Sequence, residues 1–435
     1  MVEIVLLLLF LLFCLKHSSK QILCFIFLFL PLHGTIKTIV FQTGGELFSM
    51  WKELGLIIIM LKERNAIFQG YNSIWRMYIF LCLCALVYFW LGTIHGYHGS
   101  STLKKILFPC LLTLCVAKIN FNRNDIKKLF FCILVGSIII NITGLLDFLS
   151  PPIRSIFRHL MNVEYSVSKD GTVYYDINSF TIMGYERVCG LMSGGPNQFG
   201  IFNAGILFID IIAILYCNTI FNFKKYKIII VISLCMSSLF LLLSFSRAGM
   251  AIVLISLLIM SLTDRKLRSK TIFIMFILMC ALIIGMMYSP QVKEIILATL
   301  TGKEASSSNR YSMTNEALEF LIDHPFGYGL GATSGDKSVY FAESSLINIG
   351  IEIGLIGLFL LLILILYIYR SVKNNKSNKT YRACCAFLIA YVMTSLVSVN
   401  TYENPFIYYA WLIFGFGLTK IGYFTSRNIY SYDKD

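Results

Sequence analysis

What this chain lacks narrows its chemistry before any motif is read. It has 13 cysteines but no CxxC pair and no cysteine–histidine spacing that would hold a metal. Cys82, Cys84, Cys110, Cys115, Cys132 and Cys235 lie in apolar runs, as do Cys384 and Cys385. There cysteine acts as a small apolar side chain. Only Cys189 falls in a long polar segment, so no structural disulfide is expected. His95 and His98 stand three apart without a third ligand. The apolar runs do not alternate with polar residues, which excludes a membrane β-barrel and selects helices. No internal repeat and no matching pair of Gly/Pro-broken helices is evident, which weighs against a secondary transporter. The first fifteen residues also lack the start and cleavage site of a signal peptide. Glu3 stands where a basic residue belongs, and Lys16-His17-Ser18-Ser19-Lys20 follows. A retained first span is expected.

What is present is hydrophobicity: 57% of residues are apolar and mean hydropathy is +0.74. Runs of about 20 residues recur along the whole length, each long enough to cross a bilayer as a helix. Clear spans are expected at 77–94, 103–120, 128–149, 198–217, 228–245, 248–263, 271–289, 344–369, 383–400 and 405–424. Shorter runs at 2–15, 21–33 and 54–61 complete an all-α, polytopic membrane protein of about 12 (11–13) helices. A single membrane domain over 1–435 is expected, with long segments at 150–197 and 290–343. The net charge of +14 does not point to nucleic acid, because lysine and arginine fall in short loops at regular intervals. Loops on one side hold 24 of them and the other side 13. The positive-inside rule places the richer side, and the C-terminus, in the cytoplasm. Both long segments are then extracytoplasmic.

On that outer side lies Arg247, in the tetrad Ser244-Phe245-Ser246-Arg247 between two apolar runs. An ionisable residue beside a span is costly and points to function, although a helix-end arginine can also snorkel to headgroups. Arg187 precedes the turn-rich Gly194-Gly195-Pro196-Asn197, where Asn197 is expected to cap the next span. Arg310 leads into a short amphipathic helix expected from Ser312 to Asp323, capped by Ser312, lying on the membrane surface and ending before Pro325. His324 follows, then Gly327, Gly329 and Gly331, which suit a tight turn close to a ligand. Glu343 is expected in the first turn of the span at 344–369, as a helix-stabilising acid or a general base. Asp147, Asp210 and Glu352 are expected to pair within the bundle. The outer segments hold no DxD-type acidic pair of the kind that carries a divalent metal on a diphosphate. Arginine is suited to that anion without metal.

These motifs resemble the O-antigen polymerase and ligase superfamily of polysaccharide-assembly membrane proteins. The resemblance rests on Ser244–Arg247, on Arg187 through Asn197, and on Asn309-Arg310 leading to His324–Gly331. Its last element is Glu343-Ser344-Ser345-Leu346 running into Glu352–Gly357. It covers about 185–370, while the N-terminal third matches in hydropathy alone. It implies a metal-independent, inverting glycosyltransferase without cofactor. The substrates would be undecaprenyl-diphosphate-linked oligosaccharides, as donor and acceptor, in the cytoplasmic membrane. Chain-length regulator and flippase proteins would be its partners. Arg247, Arg310 and Arg187 would hold the diphosphate, with Asn197, Ser246 and the three glycines near substrate. Glu343 would take the acceptor proton, with His324 as a competing base. Ligases of the superfamily are expected to carry histidine where this chain has Glu343-Ser344. That departure favours a polymerase of capsule, exopolysaccharide or O-antigen over a ligase, and over a transporter of lipid-linked glycan or small anions.

Overall fold

The computed structural model describes residues 2–41, 47–68, 72–161, 165–167, 173–175, 180–182, 185–192, 194–216, 227–288, 293–294, 297, 305–334 and 339–419. The N-terminal helices are α1 (Val2–Lys16), α2 (Ser19–Phe29), α3 (His33–Phe41), α4 (Trp51–Lys62) and α5 (Arg64–Phe68). Three long helices follow: α6 (Asn72–Ile94), α7 (Ser100–Lys118) and α8 (Arg123–Leu149). Next come α9 (Pro151–Leu160) and two small antiparallel hairpins, β1 (Tyr165–Val167) with β2 (Val173–Tyr175) and β3 (Thr181–Ile182) with β4 (Tyr185–Glu186). The rest is helical: α10 (Gly195–Leu215), α11 (Lys227–Leu243), α12 (Arg247–Thr263) and α13 (Arg268–Tyr288). The last four are α14 (Ala305–Asp323), α15 (Ser345–Asn374), α16 (Tyr381–Ser395) and α17 (Phe406–Leu418).

The expected spans are recovered as helices to within a few residues, with two revisions, and the end of the span expected at 405–424 lies outside the described residues. The run expected at 21–33 continues through Pro31 to Phe41 as one candidate span, Ser19–Phe41. Six helices of the described residues are long and apolar enough to cross a membrane. Lys227–Leu243, Arg247–Thr263, Tyr381–Ser395 and Phe406–Leu418 are apolar but shorter. The longest of these, 17 residues, spans about 26 Å at 1.5 Å per residue, a little under the bilayer core. Helix α16 ends at Ser395, not 400, and a short 3-10 turn over Val399–Tyr402 takes its place.

The centre of the bundle is α10 and α17. Both are apolar on every face, as a helix surrounded by other helices must be. Trp411, Tyr408 and Tyr409 of α17 and Phe199, Phe202 and Phe208 of α10 are fully buried. The perimeter is the reverse. Trp90, Val87 and Phe80 on α6 are 68%, 61% and 56% exposed, and α1 presents Val2, Leu8, Leu12 and Leu15 outward. Such a surface would aggregate in water and is at home against lipid tails.

Ion pairs mark the helix ends. Asn122 and Asp125 cap α8 reciprocally, and Lys20 pairs with Asp125 at 2.6 Å. Arg382, at the start of α16, pairs with Asp264 just after α12 at 3.1 Å. Helices α12 and α16 pack closely. With that pair joining their one end, the Arg247 end of α12 lies beside the Ser395 end of α16. The N-terminal helices are part of the same bundle. The Tyr409 hydroxyl donates to Phe27 O at 3.1 Å, and the Thr35 hydroxyl donates to Leu191 O. A Cβ on Gly136 of α8 would sit 2.6 Å from Leu28 O, so α2 and α8 meet backbone to backbone.

Helix α15 is broken. Gly354 has φ +67° and ψ 173°, a conformation open essentially to glycine alone. The break frees backbone groups that the loop after α14 satisfies. Tyr328 N–H donates to Ile351 O at 2.9 Å, Gly329 N–H to Glu352 O at 3.0 Å, and Leu355 N–H to Pro325 O at 2.8 Å. Non-helical backbone within an apolar bundle is tolerated when protein groups satisfy it in this way.

Candidate active site

Three helix ends meet around Arg187 and Arg247, two of the three arginines singled out in the sequence. Arg187 is 5% exposed and reaches two of these helix ends at once. Its Nε donates to Ser244 O, at the end of α11, at 2.8 Å. Its Nη2 donates to Asn197 Oδ1, in the first turn of α10, at 2.5 Å. Ser246 completes the junction: its hydroxyl donates to Asn197 O at 3.3 Å and accepts from Gly249 N–H as the N-cap of α12. Arg247 is the first residue of that helix and is half-buried. Asn197 was expected as a cap. The helix instead starts three residues earlier than expected, at Gly195 after Gly194, because Pro196 suits a first turn. That frees the Asn197 amide to hold Arg187.

The turn carrying Arg247 is strained and tightly seated. Among the described residues, Phe245 is the one non-glycine residue with positive φ, +48°. Such a conformation costs about 1–3 kcal/mol and persists where the surroundings impose it. The surroundings here are Gly200 and Gly249. A Cβ on Gly200 would come within 2.2 Å of Ser244 Oγ and Ser246 Cβ, and one on Gly249 within 2.9 Å of Gly200 O. The turn before Arg247 is thus held by close packing against α10. N–H groups at the starts of α10 and α12 add partial positive charge beside it, so the junction suits an anion.

A hub around Asp147, which was expected to pair within the bundle, braces the junction from behind. The buried Asp147 carboxylate accepts from Arg154 Nε at 3.1 Å and pairs with Arg158 Nη2 at 3.4 Å. It also accepts from Cys189 N–H at 2.9 Å and Gly190 N–H at 2.8 Å. Arg158 in turn donates to Arg187 O at 3.3 Å and lies over the Phe180 ring. Arg154 also pairs with Glu186. The segment 186–190 is therefore held from behind by the Asp147 cluster. Cys189 is buried within it, and burial pushes its thiol up to about 12. Arg154 and Arg158 are four apart on α9, a one-face spacing that could have flagged them.

Glu343 sits just before α15, not in its first turn. Ser344 is the N-cap, accepting from Ile347 N–H at 3.3 Å and donating to Ser395 O at 3.3 Å. The cap residue thus touches the end of α16, which lies beside the start of α12. Glu343 and Arg247 are gathered at one end of the bundle. Glu343 is half-buried. Arg310 lies in α14, and its side chain lies outside the described residues.

Two expectations are revised on this side. Helix α14 begins at Ala305, so Ser312 is an interior residue, not a cap; its hydroxyl donates to Glu316 Oε1 at 2.7 Å. The helix does end at Asp323, before Pro325. The glycines lie close to the chain's own backbone, not to an open turn. A Cβ on Gly327 would meet Gly354 N at 2.4 Å, one on Gly329 would meet Gly92 N at 2.4 Å, and one on Gly331 would meet Gly99 N at 2.8 Å. Positive φ at all three seats the loop between α6, α7 and α15. His324 is exposed, with its ring 4.8 Å from Phe320 and 5.1 Å from Tyr328. His95 Nδ1 lies 3.0 Å from Tyr328 O, which occupies it structurally. Glu352 accepts from the Thr333 hydroxyl at 2.6 Å, and Asp210 from Ser233 at 2.8 Å.

A second polar cluster also escaped sequence reading. Lys52 and Glu53, both buried, pair at 3.0 Å, and Tyr408 donates to Glu53 at 3.1 Å. His33 accepts from Trp51 Nε1 at 2.9 Å beside them. This cluster ties α4 to α17.

The fold defines a helical multi-pass membrane protein, with the Arg187–Arg247 junction at one end of its bundle. Comparison with known proteins narrows that class. Residues 231–362 match the family model described as O-antigen ligase. The chain is also 23% identical over 335 residues to an O-antigen polymerase of Salmonella muenchen, an overlap of 71% of this chain and 78% of that protein. Both likenesses support the O-antigen polymerase and ligase superfamily, and with it a glycosyltransferase-like role in polysaccharide assembly. The family match takes in Arg247, α14, Glu343 and the break at Gly354, while Arg187 lies outside it.

Proposed function

We propose that the chain is a polymerase joining undecaprenyl-diphosphate-linked oligosaccharide repeat units at the outer face of the cytoplasmic membrane. The product is a capsular polysaccharide, an exopolysaccharide or an O-antigen. The observation that carries this reading is the junction of Arg187, Asn197, Ser246 and Arg247 at three helix ends. It supports a fixed anion site beside lipid, where a lipid-borne diphosphate would arrive. The positive-inside count supports placing that end outside.

In this mechanism the acceptor hydroxyl attacks the anomeric carbon of the donor glycan. The carbon–oxygen bond to diphosphate breaks as the new glycosidic bond forms on the opposite face, inverting the configuration. Arg247 faces the diphosphate and offsets the charge developing on its leaving oxygen. Arg310 is assigned the same task. Arg187 has two N–H groups committed to Ser244 and Asn197, so it acts through the junction: it holds Arg247's turn and adds charge. Glu343 takes the hydroxyl proton. His324, exposed and flanked by aromatic rings, is the weaker candidate. Protein cations do the work that a divalent metal does elsewhere.

The test is a ladder assay: purified protein incubated with the lipid-diphosphate repeat unit. Arg247→Ala and Glu343→Ala should each slow transfer at least about 100-fold, the scale of losing a group that acts in the transition state. Normal ladders from both variants would sink the reading. The ligase reading has one observation in its favour, the description of the matching family model. Cells without the protein decide between them: a missing polymerase leaves single repeats on the final acceptor, a missing ligase leaves long chains on carrier lipid.

A further inference from the structure

Helix α14 carries three exposed or half-exposed stripes besides the one it buries. Ala317 and Leu321 are buried against α15. Leu318 and Ile322, four apart, are exposed at 45% and 64% and continue into the exposed Phe326. That stripe suits the membrane surface. Glu316, Glu319 and Asp323 recur at three- and four-residue spacing on another side and are all exposed. Between the buried and acidic stripes lies Phe320, the middle of a row of near-parallel rings. Tyr328 lies 5.2 Å from it at 20°, and Tyr340 lies 5.4 Å from it at 23°. All three are partly exposed, and the exposed His324 meets Tyr328 edge-on.

We propose that this aromatic row and the acidic stripe beside it bind an uncharged saccharide, the end of the glycan that presents the acceptor hydroxyl. The inference rests on the polymerase reading and names its acceptor subsite. A pyranose has a C–H face and a rim of hydroxyls. The rings meet the first with their π faces; the carboxylates accept hydrogen bonds from the second. Three carboxylates disfavour phosphate, anionic headgroups and acidic sugars alike, so the occupant is neither the carrier diphosphate nor the bilayer. The polar groups are already oriented. The Tyr340 hydroxyl donates to Glu316, which also accepts from Ser312 at 2.7 Å and keeps lone pairs in reserve. The row also leads to Glu343. Tyr340 is three residues before it, and Ala342 between them is clamped by Asn348. Ala342 N–H donates to Asn348 Oδ1 at 2.8 Å, and Asn348 Nδ2 donates to Ala342 O at 2.8 Å. A sugar stacked on the row is thus held one short, fixed segment from the carboxylate that would take its proton.

The test uses the full chain in lipid nanodiscs and two probes: the repeat-unit oligosaccharide released from its carrier, and tri-galacturonate. Saturation-transfer NMR reads contact between protein rings and sugar C–H protons. A transfer assay with the released oligosaccharide as acceptor reads half-saturation. Tyr328→Leu and Glu319→Gln should each raise the half-saturating acceptor concentration about fivefold, the scale of one aromatic or polar contact, and leave that of the donor unchanged. Tyr328→Phe, which keeps the ring, should recover most of what Tyr328→Leu loses. Leu318→Ala on the neighbouring exposed stripe should leave both half-saturations unchanged and controls for folding. Tri-galacturonate should show no saturation transfer. Unchanged acceptor half-saturation in both variants, a matching rise for the donor, or equal binding of tri-galacturonate would each overturn the proposal. If the parent protein forms no ladder yet Tyr328→Leu abolishes saturation transfer, the polymerase reading fails and the saccharide site stands. If the ladder forms and saturation transfer survives Tyr328→Leu, the site fails alone.

Discussion

Replacing Gly354 with alanine tests the broken helix directly. At φ +67° and ψ 173° an L-residue is strained by about 1–3 kcal/mol before any contact is counted. The new Cβ would also lie 2.7 Å from Phe326 O, 2.8 Å from Phe326 C and 2.9 Å from the Tyr88 hydroxyl. Two of these are backbone atoms of a loop held by three hydrogen bonds, so relief by a small shift weakens bonds worth about 0.5–1.5 kcal/mol each. The alternative is to straighten the helix. That restores Leu355 N–H to Ile351 O and Ile356 N–H to Glu352 O, but strips partners from Tyr328 N–H, Gly329 N–H and Pro325 O. Each such buried orphan costs about 1–3 kcal/mol. The cheaper route, strain with a loosened loop, sums to about 2–4 kcal/mol of lost stability. The assay is equilibrium unfolding in mixed detergent–SDS micelles. Gly350→Ala is the control: its Cβ meets the flexible Leu321 side chain at 2.9 Å without positive φ, and should cost under about 1 kcal/mol. Equal midpoints for Gly354→Ala and the parent would refute the account of the break.

Other consequences are equally open to measurement. Arg187→Lys keeps the charge but cannot span Ser244 and Asn197 together; losing one charge-assisted bond should lower the initial rate of ladder formation about 10- to 100-fold. Since the reactive species of cysteine is the thiolate, the raised Cys189 thiol should react with maleimide at pH 7.5 at least about 100-fold more slowly than a cysteine introduced at the exposed His98; comparable rates would show the segment 186–190 to be open. Hydrogen bonds from Tyr340 and then Ser312 hold the Glu316 carboxyl below its ordinary range. The contact is therefore complete above the unfolded value of about 4.3 and is lost as pH falls through the lower folded one. Amide exchange in α14 should quicken below about pH 4 in the parent and lose that acid step in Glu316→Gln.

The bundle was readable because each apolar run carries its own evidence: α10 was expected at 198–217 and lies at Gly195–Leu215, and α15 at 344–369 lies at Ser345–Asn374. The cationic junction was half readable. Arg187, Asn197, Ser246 and Arg247 were singled out as residues, yet the bond from Arg187 to Asn197 depended on where α10 begins. Pro196 carried that signal and was read only as part of a turn. The break at Gly354 was hidden, because a glycine in an apolar run fits an unbroken helix equally well until a partner loop is known. Asp147 was expected to pair, but its partners were hidden for a similar reason. One of its donors is Gly190 N–H, a backbone group 43 residues away that no side-chain pattern reveals. The three loop glycines were expected to lie close to a ligand. What approached them was the chain itself.

The contacts of the N-terminal helices bear on how this protein can be rebuilt. The stretch that matches the family model, 231–362, is not a transferable cassette. Arg187 donates to Ser244 O, the Ser246 hydroxyl to Asn197 O, and Leu330 N–H to Tyr88 O, so the stretch is bonded to the segments that precede it. A chimera that grafts 231–362 onto the first two hundred residues of a relative would put foreign residues on one side of each of those bonds. Exchange of specificity between relatives is better sought in the outer stripes of α14, which touch none of these N-terminal contacts, than by swapping halves.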